Sequence, residues 1–149
     1  MSTMQGRPSQ AFIQLLGVGL SCVALGACSP GGRGVDRGLD GTAWKLSGWT
    51  LSSLNPADFT ITATFSDGKI SGRSAVNSYS GSYGAGSDGA FAVGHLVSTQ
   101  MAGPEPAMRA EHAYVTLLQQ AGSYSRTGRT LKLFDPFGNE SLIFHRASG

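Results

Sequence analysis

The sequence predicts an α+β domain dominated by β structure: a strongly curved antiparallel sheet or half-open barrel of about seven or eight strands, with one amphipathic helix packed on it. Three observations carry this expectation. With 22 glycines in 149 residues and only 13% charged residues, the composition favours short strands and turns over a helical bundle. Beyond position 39 the apolar residues recur mostly with period two. One glycine-free segment, 106–120, instead carries the 3.6-residue spacing of a helix.

The strands follow in order. Trp44 and Leu46 alternate with polar neighbours, and Trp49 and Leu51 extend the same strand beyond Gly48. Asn55-Pro56-Ala57-Asp58 breaks it. Phe59, Ile61, Ala63 and Phe65 alternate with threonines, the pattern of a half-buried strand. Asp67-Gly68 is a hairpin signal, from which 69–73 returns. Residues 79–83 and 90–93 read as two more strands, separated by the glycine-rich stretch 84–89. Tyr124, 131–134 and 142–144 mark the last three, with Asp135-Pro136-Phe137-Gly138-Asn139 turning between the final pair. In the helical segment Ala107, Ala110, Tyr114, Leu117, Leu118 and Ala121 share one face. Pro106 suits a first helical position, and Gly122 predicts the stop.

The N-terminus has a different character. Arg7 precedes an interrupted apolar stretch, 11–25, which is too short for a comfortable membrane span and has the proportions of a signal-peptide core. It ends in Leu25-Gly26-Ala27-Cys28, which resembles the bacterial lipobox. The expected organisation is a lipoprotein signal peptide over 1–27, a flexible tether over 28–38 and a folded domain over 39–146. Cys28 is the expected lipidation (palmitate) site. The lipid would hold the protein to a membrane, and by the same resemblance Ser29 after the cysteine favours the outer membrane, facing the periplasm. About ten residues rich in Gly, Ser and Pro reach roughly 15–20 Å, so the domain would sit close to the bilayer. Cys22 would be lost with the signal, which excludes a disulfide framework and a thiolate zinc site.

A net charge of +2, without a basic run interleaved with aromatics, gives no reason to expect nucleic acid as a partner. His95, His112 and His145 have no metal-ligand spacing. There is no nucleophile elbow, and no phosphate-cradling glycine loop opens a helix. The sequence therefore predicts neither an enzyme nor a metal or other cofactor.

Two stretches go beyond generic patterning. Gly72-Arg73-Ser74-Ala75-Val76-Asn77-Ser78-Tyr79-Ser80-Gly81-Ser82-Tyr83 resembles the G-x-x-G-C-N-x-Y-x-G-x-Y signature of the META domain family of HslJ-like lipoproteins. Thr99-Gln100-Met101-Ala102-Gly103-Pro104, followed by Glu111, resembles that family's T-x-M-A-C-P and its helix-borne glutamate. This chain departs from the pattern where Ala75 replaces glycine and where Val76 and Gly103 replace cysteines. Loss of both thiols together would be economical if those positions touch one another in relatives.

The motif residues singled out are Asn77, Tyr79, Gly81, Tyr83, Met101, Pro104 and Glu111, and structural roles are favoured for them. Asn77 can satisfy a tight turn or adopt a left-handed backbone; the competing role is ligand binding. Tyr79 and Tyr83 share one strand face with Gly81 leaving room between them, which favours packing over a binding platform. Glu111, at the margin of the helix's apolar stripe, either reaches solvent or hydrogen-bonds the loop carrying Met101-Ala102-Gly103.

By this reading the protein is a non-enzymatic, lipid-anchored envelope protein, with the resemblance implying a role in stress response through an unidentified envelope protein partner. Two alternatives stand beside it: a small module for an apolar ligand, for which Phe65, Tyr79, Tyr83 and Phe91 would line the cavity, and a periplasmic inhibitor of a cell-wall hydrolase.

Overall fold

The computed structural model describes residues 38–148. The expected signal peptide, Cys28 and the tether up to residue 37 lie outside the described residues. Eight strands and one helix follow in chain order: β1 (Thr42–Trp49), β2 (Thr62–Ser66), β3 (Lys69–Arg73), β4 (Ser78–Ala85), β5 (Phe91–Ser98), α1 (Glu105–Gln120), β6 (Ser123–Thr127), β7 (Thr130–Phe134) and β8 (Glu140–Arg146). They form one antiparallel sheet in the order β5-β4-β3-β2-β1-β8-β7-β6. The first and last strands of the domain are thus central neighbours, and α1 carries the chain from one sheet edge to the other. The sheet curls until its edges touch at the Ala90–Ser123 bridge, where the Phe91 N–H donates to Gly122 O and the Tyr124 N–H to Gly89 O. This is the half-barrel that the alternating pattern predicts.

The concave face is the core. Trp44 and Leu46, Ala63 and Phe65, Ile70, Tyr79 and Tyr83 alternate inward along β1 to β4, and β7 and β8 supply Leu131, Leu133, Leu142 and Phe144. Helix α1 buries Ala110, Ala113, Tyr114, Leu117 and Leu118, and its Tyr114 ring meets Tyr79 of β4 and Phe144 of β8 edge-on. The Phe65, Tyr83 and Phe91 rings pack against one another with centroids 4.8–6.4 Å apart. The rings that would line an apolar cavity therefore fill it.

Local differences from the sequence pattern have identifiable causes. Strand β1 ends at Trp49 and leaves Leu51 60% exposed, because a bulge between Leu46 and Gly48 shifts the β1–β8 register and breaks the alternation. Helix α1 begins at Glu105, a residue before Pro106, with the Pro104 carbonyl accepting from the Met108 N–H. Its stop is not a left-handed glycine: Ala121 turns extended, and the Gly122 N–H already donates to Phe134 O. Strand β5 runs to Ser98, beyond the 90–93 that alternation marks, since its bulge opposite Gly81 to Tyr83 interrupts the period.

One polar chain crosses this core. The Tyr79 and Tyr114 hydroxyl oxygens are 2.6 Å apart, and the Tyr79 oxygen lies 2.8 Å from Thr62 O. The carbonyl can only accept, so Tyr79 gives its proton to Thr62 and Tyr114 donates to Tyr79. Burial pushes both phenols well above their usual range, so both stay neutral; the bond from Tyr114 partly offsets the rise at Tyr79, and Tyr79 adds to it at Tyr114. This order makes the two deletions unequal. Tyr114→Phe is expected to cost about 1 kcal/mol, whereas Tyr79→Phe, which strips Tyr114 of its acceptor as well, is expected to cost about 2–3 kcal/mol. Urea unfolding of the two variants checks the ranking.

Candidate functional site

At the end of the barrel where β3 turns into β4, the motif residues of both stretches converge. Residues 74–77 make the turn. The Ser74 N–H donates to Asn77 O at 2.8 Å, and Ile61 and Ser74 form an isolated bridge. The turn leaves backbone donors pointing at α1, and Glu111 meets them. Its Oε2 accepts from the Asn77 N–H at 2.8 Å, the Val76 N–H at 3.2 Å and the Ser74 hydroxyl at 2.9 Å; its Oε1 accepts from Asn77 Nδ2 at 2.8 Å. The single Ser74 hydroxyl proton also has Asn77 O at 3.0 Å, but the nearer, charged carboxylate is the stronger acceptor.

Asn77, 3% exposed, spends every side-chain valence. Nδ2 also donates to Met101 O at 3.1 Å, while Oδ1 accepts from the Met101 N–H at 2.7 Å and the Thr99 hydroxyl at 2.8 Å. The opposite amide orientation would set its oxygen against a carboxylate and a carbonyl, so the network decides it. Glu111 thus pins the 74–77 turn to the helix and does not itself bond the 101–103 loop, as one sequence reading had it. Asn77 makes that connection. Burial by itself raises the Glu111 pKa, but the bonds from Asn77, Ser74 and Val76 outweigh it and hold the carboxyl below its ordinary value.

The other motif residues take their places around this knot. The left-handed backbone belongs to Ala75, at φ +90°, not to Asn77; a side chain there costs roughly 1–2 kcal/mol, which accounts for the glycine in the resembled pattern. Met101 contributes its backbone, while its side chain is 52% exposed. Pro104 holds the N-terminus of α1. Tyr79 and Tyr83 lie in the core on either side of Gly81, where a Cβ would come within 2.8 Å of His95 O and 2.7 Å of Leu96 Cδ2. The bulged β5 occupies that space. Ser74 and Thr99, which lie within the two motif stretches, complete the network. The available signal was two short hydroxyl residues in stretches that flank a carboxylate at the margin of an apolar helix face.

Val76 and Gly103 are in contact. A Cβ on Gly103 would lie 2.7 Å from Val76 Cγ2 and 3.4 Å from Val76 Cβ. One branched side chain fills the space of two small ones, so the two cysteine positions of the resembled pattern are neighbours. Elsewhere, His95, His112 and His145 lie exposed on β5, α1 and β8, and among the described residues no three His, Cys, Asp or Glu side chains could hold a metal ion.

A half-barrel crossed by one helix, with an asparagine–glutamate knot joining turn, loop and helix, defines a small β-dominated domain. The chain belongs to the META domain family, whose model matches residues 37–148. A protein from Burkholderia xenovorans solved by NMR is 33% identical, with 74% of this chain aligned to 85% of that one at a TM-score of 0.63. A second NMR structure, 17% identical, aligns 72% of this chain with 90% of its own at 0.55. A DUF4847 family protein from Bacteroides vulgatus, 13% identical, aligns 78% with 99% at 0.57. The last two share the fold alone. No match was found among curated proteins.

Two expectations follow from this geometry. Because the native Glu111 pKa is lowered, the unfolded chain binds the proton first; the knot's contribution is complete above about pH 5 and is lost as pH falls through the depressed native value. Glu111→Gln should cost about 2 kcal/mol at neutral pH and flatten the loss of stability as pH falls below about 5, measured by urea unfolding across pH. Val76→Cys/Gly103→Cys should oxidise to an intramolecular disulfide and gain about 2–4 kcal/mol, seen as a reductant-sensitive Tm and faster non-reducing migration. Gly103→Cys alone should destabilise, because its side chain must displace Val76.

Proposed function

We propose that this META domain protein is a lipid-anchored component of a bacterial cell envelope that acts through protein contacts and not through catalysis. The observation that carries the anchor is Leu25-Gly26-Ala27-Cys28 at the end of a signal-like apolar stretch, followed by a short polar tether. The non-catalytic reading is supported by the economy of the motif residues. Asn77 and Glu111 are occupied by bonds within the fold, and the buried tyrosines pair with each other or pack in the aromatic core. A hydrolase or transferase would keep such groups open toward a cleft. The interior filled by Phe65, Tyr83 and Phe91 speaks against an apolar-ligand module.

The exposed apolar side chains Leu51 and Phe137, the latter 89% exposed, lie near the barrel end remote from Gly38, where the tether joins. An envelope protein partner approaching from the side away from the bilayer would meet them first. In this reading the domain is a presentation scaffold, and its stress-related role lies in what it holds close to the membrane.

The test is fractionation of cells expressing the full chain. The wild-type protein should partition into detergent and take up labelled palmitate. Cys28→Ser should abolish labelling and release a folded domain into the aqueous fraction. Absence of label on the wild-type protein, or undiminished labelling of Cys28→Ser, would overturn the anchor.

A further inference from the structure

We propose that the corner of the barrel at which the tether joins is a second membrane contact, in which Arg126, Arg129 and Arg146 bind the anionic phospholipid headgroups of the leaflet that holds the lipid. The inference rests on the anchored reading above, and it begins from a concentration of charge. Of the five arginines among residues 38–148, these three share one corner. Arg126 lies near the end of β6 and Arg129 in the β6–β7 turn, and the Arg146 N–H donates to Arg129 O at 2.8 Å. Arg126 and Arg129 are exposed and Arg146 is half-buried. The ion pairs among the described residues are Glu105–Arg109 and Lys132–Glu140, so none of the three is neutralised by a described carboxylate.

Two of the three guanidinium groups are held. Arg126 Cζ lies 5.9 Å and Arg146 Cζ 5.7 Å from the centroid of the Trp44 ring, which is fully buried. Trp44 Nε1 in turn donates to the Thr42 hydroxyl at 2.7 Å. Cation–π contact fixes both side chains at the barrel mouth while leaving their N–H donors for another acceptor. The same end also carries the carboxylates of Asp40, Asp67 and Asp88, which accept from the Asp67 N–H, the Ser66 hydroxyl and the Ala90 N–H, and none of them forms an ion pair with the three arginines. Beside the arginines lies an open cleft of about 520 Å³ whose lining includes Arg126, Tyr124, Gly89 and Gly38.

Gly38 commits the occupant. The chain reaches the domain there, on the rim of that cleft, only ten positions after Cys28. A tether of that length reaches roughly 15–20 Å, so a lipid on Cys28 brings this corner to the bilayer before any other part of the domain. Phospholipid phosphates then supply what the guanidinium forks lack, and the contact would orient the domain with Phe137 outward.

The test uses exported chain carrying Cys28→Ser, which separates this contact from the anchor. The protein should co-sediment at low salt with vesicles of phosphatidylglycerol and phosphatidylcholine, and not with phosphatidylcholine alone. High salt should release it. Arg129→Gln, which leaves Trp44 untouched, should weaken binding about fivefold, and Arg126→Gln/Arg129→Gln/Arg146→Gln about a hundredfold. Arg109→Gln, on the helix, should bind as the parent does. Tryptophan fluorescence and the Tm report whether the triple variant stays folded; if it does not, the Arg129→Gln result decides alone. Equal binding to both vesicles, no effect of Arg129→Gln, or full competition by low inorganic phosphate would overturn the proposal. Loss of palmitate labelling in cells bears only on the anchor, and vesicle binding only on the arginine corner.

Discussion

The Glu111 carboxylate sits where three pieces of chain distant in sequence must meet, and it is the group that holds them in one arrangement. The 74–77 turn pairs only its Ser74 N–H internally, with Asn77 O; Ala75 takes a left-handed backbone, and the Val76 and Asn77 N–H groups point at the helix. A carboxylate is an acceptor with about four lone-pair sites, and four donors fill it. Asn77 passes the constraint on by holding the Met101 backbone from both sides. The loop so fixed leads through Pro104 into α1, which carries Glu111 itself. The knot closes on its own helix, so turn, loop and helix are positioned together or not at all.

The consequences reach into the core. With α1 fixed at its N-terminal half, Tyr114 falls over Tyr79 and Phe144, and the helix covers the concave face that the curled sheet would otherwise expose. The hydrogen-bonded pair of Tyr79 and Tyr114 and the half-buried Val76–Gly103 contact lie beside the knot. A pair of cysteines could occupy that contact, but in this chain a valine fills the space beside a glycine, and cohesion there depends on shape alone.

Such a domain uses its most distinctive residues on itself. That leaves its two ends for contact with other molecules, and they differ. One end gathers arginines around the point where the chain enters; the other presents exposed apolar side chains on loops and turns. Under the proposed lipid anchor, charge near Gly38 and apolar groups remote from it would suit contact with a bilayer on one side and with a protein on the other.

The sequence by itself determined the curved antiparallel sheet, its strand count, the single helix and nearly all of the core, because alternation and 3.6-residue spacing are local properties set by which face must be dry. The motif also marked Asn77 and Glu111, since a buried amide and a carboxylate at an apolar margin each require partners. What tertiary structure decided is which partners. Glu111 bonds the 74–77 turn 34–37 residues away and leaves the nearer Met101 loop to Asn77. The end of β1, the full length of β5 and the non-glycine stop of α1 were likewise settled by neighbours, through bulges and through pairing of Gly122 with Phe134. Gathering Arg126, Arg129 and Arg146 near the start of β1 needed the pairing of β8 with both β1 and β7, which brings the β6–β7 turn to the same end of the sheet. Period and propensity are read within a few residues, but a bulge, a shared acceptor or a charge cluster exists only once strands far apart in the chain lie side by side.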